Sequence, residues 1–274
     1  MTASIDTIQP VPASRAAAFG GRFTGFRALA RKDLAAWGHG PRIWVILIVS
    51  IGFMTLAAAN AAITAAIIAG LPPDVAPPEP MSMDPVFNLA AGVGAQIFVF
   101  AAIFASMGLL TGERERGTLS WVASKPVSRG AIWLSSWAIG SAVIVASAAL
   151  VPLAATVALV VVLYGAPPAL AVVGFGVGMA ASIVLFVAVG LAVSTVTTNQ
   201  AAVAGIGFAV LFVPQILAGI LPVDISPFLP TSIFHWSMLA VAGEPAGFVT
   251  PIAWTVGVVA LVAAAIRQMG KLEL

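Results

Sequence analysis

The most prominent feature of the chain is a series of long, uncharged hydrophobic runs separated by polar or proline-rich segments. A helix that crosses the hydrocarbon core of a membrane needs about 20 mostly apolar residues. Only helices and closed barrels can pair all their backbone groups within lipid. The runs therefore predict six membrane-spanning helices, over residues 43–69, 89–110, 131–163, 170–194, 201–221 and 249–267.

The longest uncharged stretch, residues 130–223, holds three of these spans. Gly165-Ala-Pro-Pro168 divides it once, and Thr195-Val-Thr-Thr-Asn-Gln200 divides it again. Pro152 lies inside the first of the three spans, and a kink is expected there because proline lacks the N–H that a helix interior requires. The fold class is an all-α integral membrane protein, a bundle of six transmembrane helices.

The composition supports this fold class and excludes several others. Of 274 residues, 61% are hydrophobic and only 8% are charged, whereas about a quarter of an ordinary soluble domain is charged. So few charged side chains could not cover the surface of a soluble enzyme. Cysteine is absent, so a thiol nucleophile, a thiolate metal site and a disulfide framework are excluded.

The basic residues predict the orientation in the membrane. All 12 Lys and Arg residues fall before the first span, between the second and third, or at the end of the sixth, while the opposite loops carry acids and no base. Because cytoplasmic loops retain Lys and Arg, both termini are predicted to be cytoplasmic. Residues 1–42 then form a cytoplasmic tail with an interface helix, residues 43–267 the transmembrane domain, and residues 268–274 a second cytoplasmic tail.

The segment before the first span predicts an amphipathic interface helix. Arg31 and other charged residues occupy the faces away from an apolar stripe. Such a stripe with flanking cations is typical of a helix lying in the lipid interface. The helix is either a lever that contacts a partner below the membrane or a plain anchor. The stripe has spacings of 3 and 4 and consists of Phe23, Phe26, Ala30, Leu34 and Trp37.

The connector between the second and third spans, residues 112–129, is longer and more patterned than a simple link requires. Glu113 and Arg116, three residues apart, are predicted to pair on a helix. After a break at Gly117, Trp121 and Val122 offer an apolar knob beside a charged rim, as docking surfaces do. The alternative is a loop that only supplies cytoplasmic positive charge.

This connector resembles a known family. Glu113-Arg-Glu-Arg-Gly-Thr-Leu119 followed by Ser124-Lys-Pro-Val-Ser-Arg129, after the second of six spans, is similar to the permease subunits of ABC type-2 transporters. The resemblance is closest to the branch that contains the permease linked to nitrous oxide reductase maturation. It implies that the connector carries a coupling helix for a separate ATPase, that Thr195–Gln200 makes a second contact, and that short re-entrant outer helices lie between Leu221 and Trp236.

The resemblance further implies that the chain is the transmembrane permease subunit of an ATP-driven exporter in the plasma (inner) membrane. Two permease subunits, as a homodimer or heterodimer, would work with two ATPase subunits that bind ATP and Mg²⁺. The chain itself has no Gly-x-x-x-x-Gly-Lys-Ser/Thr loop, so it is expected to be neither an enzyme nor a cofactor or metal carrier. Membrane lipids are its other expected partner, and nucleic acid is not one. The expected ATPase-coupling residues are Glu113, Arg114, Glu115, Arg116, Gly117, Thr118 and Trp121, and those of the interface helix are Phe23, Phe26, Arg31 and Trp37.

Two other function classes remain open at this point. An ion-coupled secondary transporter places ionisable groups at membrane depth, but every charge here falls outside the predicted spans. A non-transporting membrane anchor or scaffold subunit would need no such groups. Gln96 and Gln215 either line a substrate path or form the interhelical hydrogen bonds that are usual for amides in membranes.

Overall fold

The computed structural model describes residues 23–69, 97–218, 220, 223–241 and 247–272. Regular secondary structure in these residues is helical throughout. Within these described ranges, six helices are long and apolar enough to cross a membrane, which confirms the predicted all-α, six-span architecture. They are Arg42–Asn60, Ile97–Glu115, Arg129–Leu163, Ala169–Ser194, Gln200–Leu217 and Val249–Lys271.

The helices are numbered in chain order. Before the second span come α1 (Phe26–Gly38) and α2 (Arg42–Ala69). The second span and its connector give α3 (97–107), α4 (Thr111–Glu115) and α5 (Thr118–Ala123). The third span is α6, which consists of Arg129–Ile144, a π-helical segment Val145–Leu150 and Val151–Tyr164. The remainder are α7 (Ala169–Ser194), α8 (Gln200–Ala218), a 3₁₀ helix (Val223–Phe228), α9 (Ser232–Val241) and α10 (Val249–Lys271).

Helices α3, α6 and α7 form the centre of the bundle. In the most apolar 18-residue stretch of each central span, half or more of the residues are buried inside the protein, against 22% or less in the corresponding stretches of α2, α8 and α10. The outer helices expose large apolar side chains, among them Trp44, Ile48 and Phe53 on α2. Such exposure is expected where a helix faces lipid, because lipid tails are as apolar as the side chains.

Helix α6 departs from α-helical geometry where the sequence predicts a kink. The π-helical segment Val145–Leu150 ends two residues before Pro152. Proline lacks an N–H and its ring clashes with the carbonyl four residues earlier, here that of Ala148 inside the π segment. The wider π turn is a recognised way for a helix to accommodate such a disruption.

Two glycines in α7 allow other helices to approach it closely. A Cβ built on Gly190 would lie 2.7 Å from Cβ of Ser106 in α3, and one on Gly178 would lie 3.2 Å from Cα of Phe234 in α9. Close approach of this kind is the usual role of small residues in membrane helices. These glycines therefore support packing within one chain.

One end of the bundle gathers the basic residues, and we call it the basic end. The start of α2 meets the end of α3 there, since the Arg42 guanidinium lies against Gly108. Arg114 reaches the end of α7 and Arg129 reaches the end of α10. Consecutive spans therefore run in opposite directions, as the charge pattern predicts for an even number of spans.

Candidate coupling site at the basic end

The connector predicted to couple the protein to an ATPase folds as two short helices, α4 and α5. Gly117 separates them with φ of +69°, in the left-handed region. That region favours glycine because a Cβ would meet the backbone. Thr118 then begins α5, and its Oγ1 donates a hydrogen bond to the Glu113 carbonyl at 3.1 Å. The turn therefore holds α4 and α5 at a fixed relative orientation.

Glu113 joins α4 to α1 and α6. The Lys32 ammonium lies 2.6 Å from Glu113 Oε1 and 3.2 Å from Asp33 Oδ1. Asp33 Oδ2 in turn accepts a hydrogen bond from the Ser135 hydroxyl near the start of α6. Three separate helices thus meet through one chain of charged and polar contacts.

The predicted pair of Glu113 and Arg116 is wrong. Arg116 follows the last residue of α4, and its Nε donates to the Gly112 carbonyl at 2.8 Å. Basic side chains near a helix C-terminus commonly bond its free carbonyls. Glu113 pairs instead with Lys32, which α1 brings close by packing against α6.

The environment of Lys32 keeps its ammonium charged. Partial burial lowers its pKa, but the hydrogen bond to Glu113 and the negative charges of Asp33 and Glu113 outweigh burial, so the pKa lies above the usual 10.5. A raised lysine pKa contributes stability that is fully present below pH 10.5 and lost as the pH rises through the folded-state pKa. The pair therefore keeps its lysine charge across the physiological pH range.

The other charged residues of α4 reach the turn between α7 and α8. Arg114 Nη1 donates to the Ser194 carbonyl at 2.7 Å, and Gln200 Nε2 donates to Glu115 Oε2 at 2.8 Å. A cation at the carbonyl end of α7 also complements the helix dipole. The segment Thr195–Gln200, which the family resemblance implies as a second contact, therefore lies directly beside α4.

Helix α5 presents a single large aromatic side chain. Leu119 is 1% exposed and Val122 is 6% exposed, whereas Trp121 is 65% exposed. The predicted knob of Trp121 and Val122 is therefore wrong for Val122, because consecutive helical residues point about 100° apart. Lys125 Nζ lies 4.2 Å from the centre of the Trp121 ring, within the range of a cation–π contact.

Helix α1 packs on the protein with part of its predicted stripe. Trp37 is buried and Phe26 is partly buried against the core, whereas Phe23 and Arg31 are exposed. Leu29, outside the predicted stripe, is also buried. Its spacing of three from Phe26 and eight from Trp37 is the helical signal that could have identified it.

Two more contacts at this end were not predicted as functional. Gly25 has φ of +85°, and a Cβ there would lie 3.0 Å from Cβ of Val127. Arg129 Nη1 donates to the carbonyls of Gly270, at 3.0 Å, and Leu272. The last residues of the connector thus contact the start of α1 and, through Arg129, the end of α10.

Of the two amides predicted to lie in the membrane, Gln96 falls outside the described residues. Gln215 lines a cavity of about 200 Å³ together with Phe98, Ser182, Phe186 and Phe234. Its side chain is exposed at the edge of this cavity and has no hydrogen-bond partner in the described part of the chain. At the opposite end from the connector, the predicted outer segment contains the 3₁₀ helix and α9, which packs on α7.

A comparison with family models finds a match over residues 27–265, to the model described as ABC-2 family transporter protein. The chain belongs to the ABC-2 family. This ABC-2 family chain is therefore a transmembrane permease component of an ABC transporter, of a kind that normally works with an ABC ATPase and is generally not catalytic itself. A comparison with curated proteins finds no match. The predicted family is confirmed, and the branch remains a prediction.

Proposed function

We propose that this ABC-2 family chain is the permease subunit of an ATP-driven exporter, with the basic end in the cytoplasm. Both termini are then cytoplasmic, because cytoplasmic segments of membrane proteins retain Lys and Arg. A second permease subunit completes the pathway, and two ATPase subunits supply the sites for ATP and Mg²⁺.

The exposed Trp121 carries this proposal. Its neighbours Leu119 and Val122 are buried inside the protein, so the surface of α5 offers an aromatic ring beside Lys125. Tryptophan is enriched among the few residues that contribute most of the energy at protein interfaces. We therefore assign α5 as the docking element for the ATPase, with Thr118 and Arg116 exposed nearby.

Helix α4 then transmits movement of the docked ATPase to the spans. Its Glu113 is joined to α1 through Lys32, and its Arg114 and Glu115 are joined to the α7–α8 turn. ATP can favour one membrane conformation only if the ATP-bound partner binds that conformation more tightly. A nearly complete switch, from 1:99 to 99:1, requires a difference of about 5.5 kcal/mol.

The cavity at Gln215 is the proposed entry to the substrate path. Phe98, Phe186 and Phe234 give it an aromatic wall, and the Gln215 amide is one of its polar groups without a side-chain hydrogen bond among the described residues. A cavity of this chemistry suits a hydrophobic substrate with a group that can hydrogen-bond to an amide. Gln96 is proposed for the same path.

The test is co-purification of the ATPase with a Trp121→Ala variant from native membranes. We expect the variant to insert normally and to retain much less ATPase than the wild-type chain. Trp44→Ala is the matched control, because Trp44 is 62% exposed, close to the 65% of Trp121, but lies on the lipid-facing side of α2. If Trp121→Ala retains as much ATPase as Trp44→Ala, α5 is not the docking element. Transport by the chain in proteoliposomes that lack any ATPase would contradict the proposed function as a whole.

A further inference from the structure

A polar cleft opens at the basic end where α1, the break between α3 and α4, and the start of α6 meet. It encloses about 110 Å³. Charged groups of both signs line it next to an aromatic ring and a glycine. The residues that matter here are Asp33, Trp37, Arg42, Gly108, Glu113 and Arg116.

Two guanidinium groups in this cleft lack a carboxylate partner. Arg42 lies against Gly108, where a Cβ would be 3.1 Å from its Nη2. It makes no hydrogen bond or ion pair with any described residue, and Arg116 donates only to the Gly112 carbonyl. Because Arg42 is the first residue of α2, its charge also opposes the positive end of the helix dipole. Helix stability therefore does not account for this arginine.

Glu113, which lines the same cleft, carries an acceptor without a donor. Lys32 occupies Oε1 of Glu113, but Oε2 is buried and has no hydrogen-bond partner in the described part of the chain. A buried charged oxygen without a donor is costly. A ligand that supplies N–H donors to Oε2 and an anion to the guanidiniums would satisfy both groups together.

The cleft lies where the first span begins, and this position favours a lipid. Trp37 lies near the end of α1, and Arg42 begins α2. Tryptophan and arginine are typical of the boundary between lipid and water. We propose that the cleft binds the headgroup of a phospholipid that carries both a phosphate and a primary ammonium, as phosphatidylethanolamine does.

The chemistry of each group follows from this assignment. Guanidinium groups bind phosphate oxygens through paired, charge-assisted hydrogen bonds, so Arg42 and Arg116 take the phosphate. A primary ammonium has three N–H donors, and one of them reaches Oε2 of Glu113. A trimethylammonium headgroup offers no N–H, and a glycerol headgroup has no cation. The cleft therefore selects phosphatidylethanolamine over phosphatidylcholine and phosphatidylglycerol.

The experiment measures lipid binding to the purified full-length chain by native mass spectrometry, with three lipids of identical acyl chains. We expect phosphatidylethanolamine to bind at least tenfold more tightly than the other two. The double variant Arg42→Gln and Arg116→Gln should lose at least tenfold in affinity, about 1.4 kcal/mol. Arg27→Gln is the matched control, because Arg27 is exposed on α1 outside the cleft.

A second measurement needs no variant. Because a ligand that binds only the folded state stabilises it, phosphatidylethanolamine should raise the thermal midpoint of the wild-type chain more than phosphatidylcholine does. Equal effects of these two lipids, or unchanged binding by the double variant, would overturn the proposal. Soluble phosphoethanolamine that binds as tightly as the lipid would overturn the assignment of a lipid. All of these readouts are independent of any ATPase, so they test the cleft separately from the proposed function.

Discussion

The ion pair between Lys32 and Glu113 predicts that removing one partner lowers the free energy of unfolding more than removing the other. Lys32 lies 2.6 Å from Glu113 and 3.2 Å from Asp33, so it keeps a carboxylate partner when Glu113 is neutralised. Glu113 has no comparable substitute, because its other oxygen already lacks a donor. Lys32→Met should therefore destabilise the protein more than Glu113→Gln does.

The expected magnitudes follow from this asymmetry. Lys32→Met leaves the partly buried carboxylate of Glu113 without its donor, which should lower the free energy of unfolding by about 2 kcal/mol. Glu113→Gln removes one partly exposed ion pair, which should lower it by about 1 kcal/mol or less. For a chain of this size, about 2 kcal/mol lowers the thermal midpoint by about 4–8 °C. The double variant Lys32→Met with Glu113→Gln should be more stable than Lys32→Met alone, because the Glu113 carboxylate, which has no donor besides Lys32, is then neutral.

The assay is thermal unfolding of the four proteins in one detergent, arranged as a double-mutant cycle. Such a cycle isolates the pair from the other effects of each substitution. A larger loss of stability in Glu113→Gln than in Lys32→Met would refute the predicted asymmetry. Simple additivity of the two effects would refute it too, since additivity would mean that the two side chains do not interact.

Two further predictions concern helix packing and the fastening of α10. Gly190→Ala should destabilise the bundle by about 1–3 kcal/mol, because its Cβ would lie 2.7 Å from Cβ of Ser106. Gly205→Ala is the control, since there is open space around Gly205, and it should leave the thermal midpoint unchanged. Equal shifts of the midpoint in the two variants would contradict the packing described. Arg129→Gln should increase the rate of amide hydrogen exchange at the end of α10, because Arg129 donates hydrogen bonds to the Gly270 and Leu272 carbonyls. Arg267→Gln is the control. If exchange rises no more in Arg129→Gln than in Arg267→Gln, this contact does not hold the helix end.

The spans could be predicted from sequence because lipid imposes a length on each helix. An uncharged run such as residues 170–194 has few alternatives to a transmembrane helix, and the structure places α7 at Ala169–Ser194. The break at Gly117 was also readable, since glycine commonly marks a left-handed turn. These features depend only on the local sequence and on the lipid that surrounds the helices.

The partners of the connector could not be predicted because they depend on tertiary packing. Local spacing paired Glu113 with Arg116, but the folding of α1 against α6 brings Lys32 within 2.6 Å. Likewise, hydrophobicity alone grouped Trp121 with Val122, although only Trp121 is exposed. Sequence identified the connector correctly as a charged and apolar segment but did not show which side chains remain free for a partner.

Site-specific photo-cross-linking from position 121 tests the central proposal most directly. A photoreactive amino acid would replace Trp121 in the full chain, expressed with its ATPase in native membranes, and cross-linking would be compared with and without a non-hydrolysable ATP analogue. We expect a cross-link to the ATPase whose yield changes when the analogue is added. Cross-links to lipid alone, or an ATPase cross-link that does not respond to nucleotide, would contradict it.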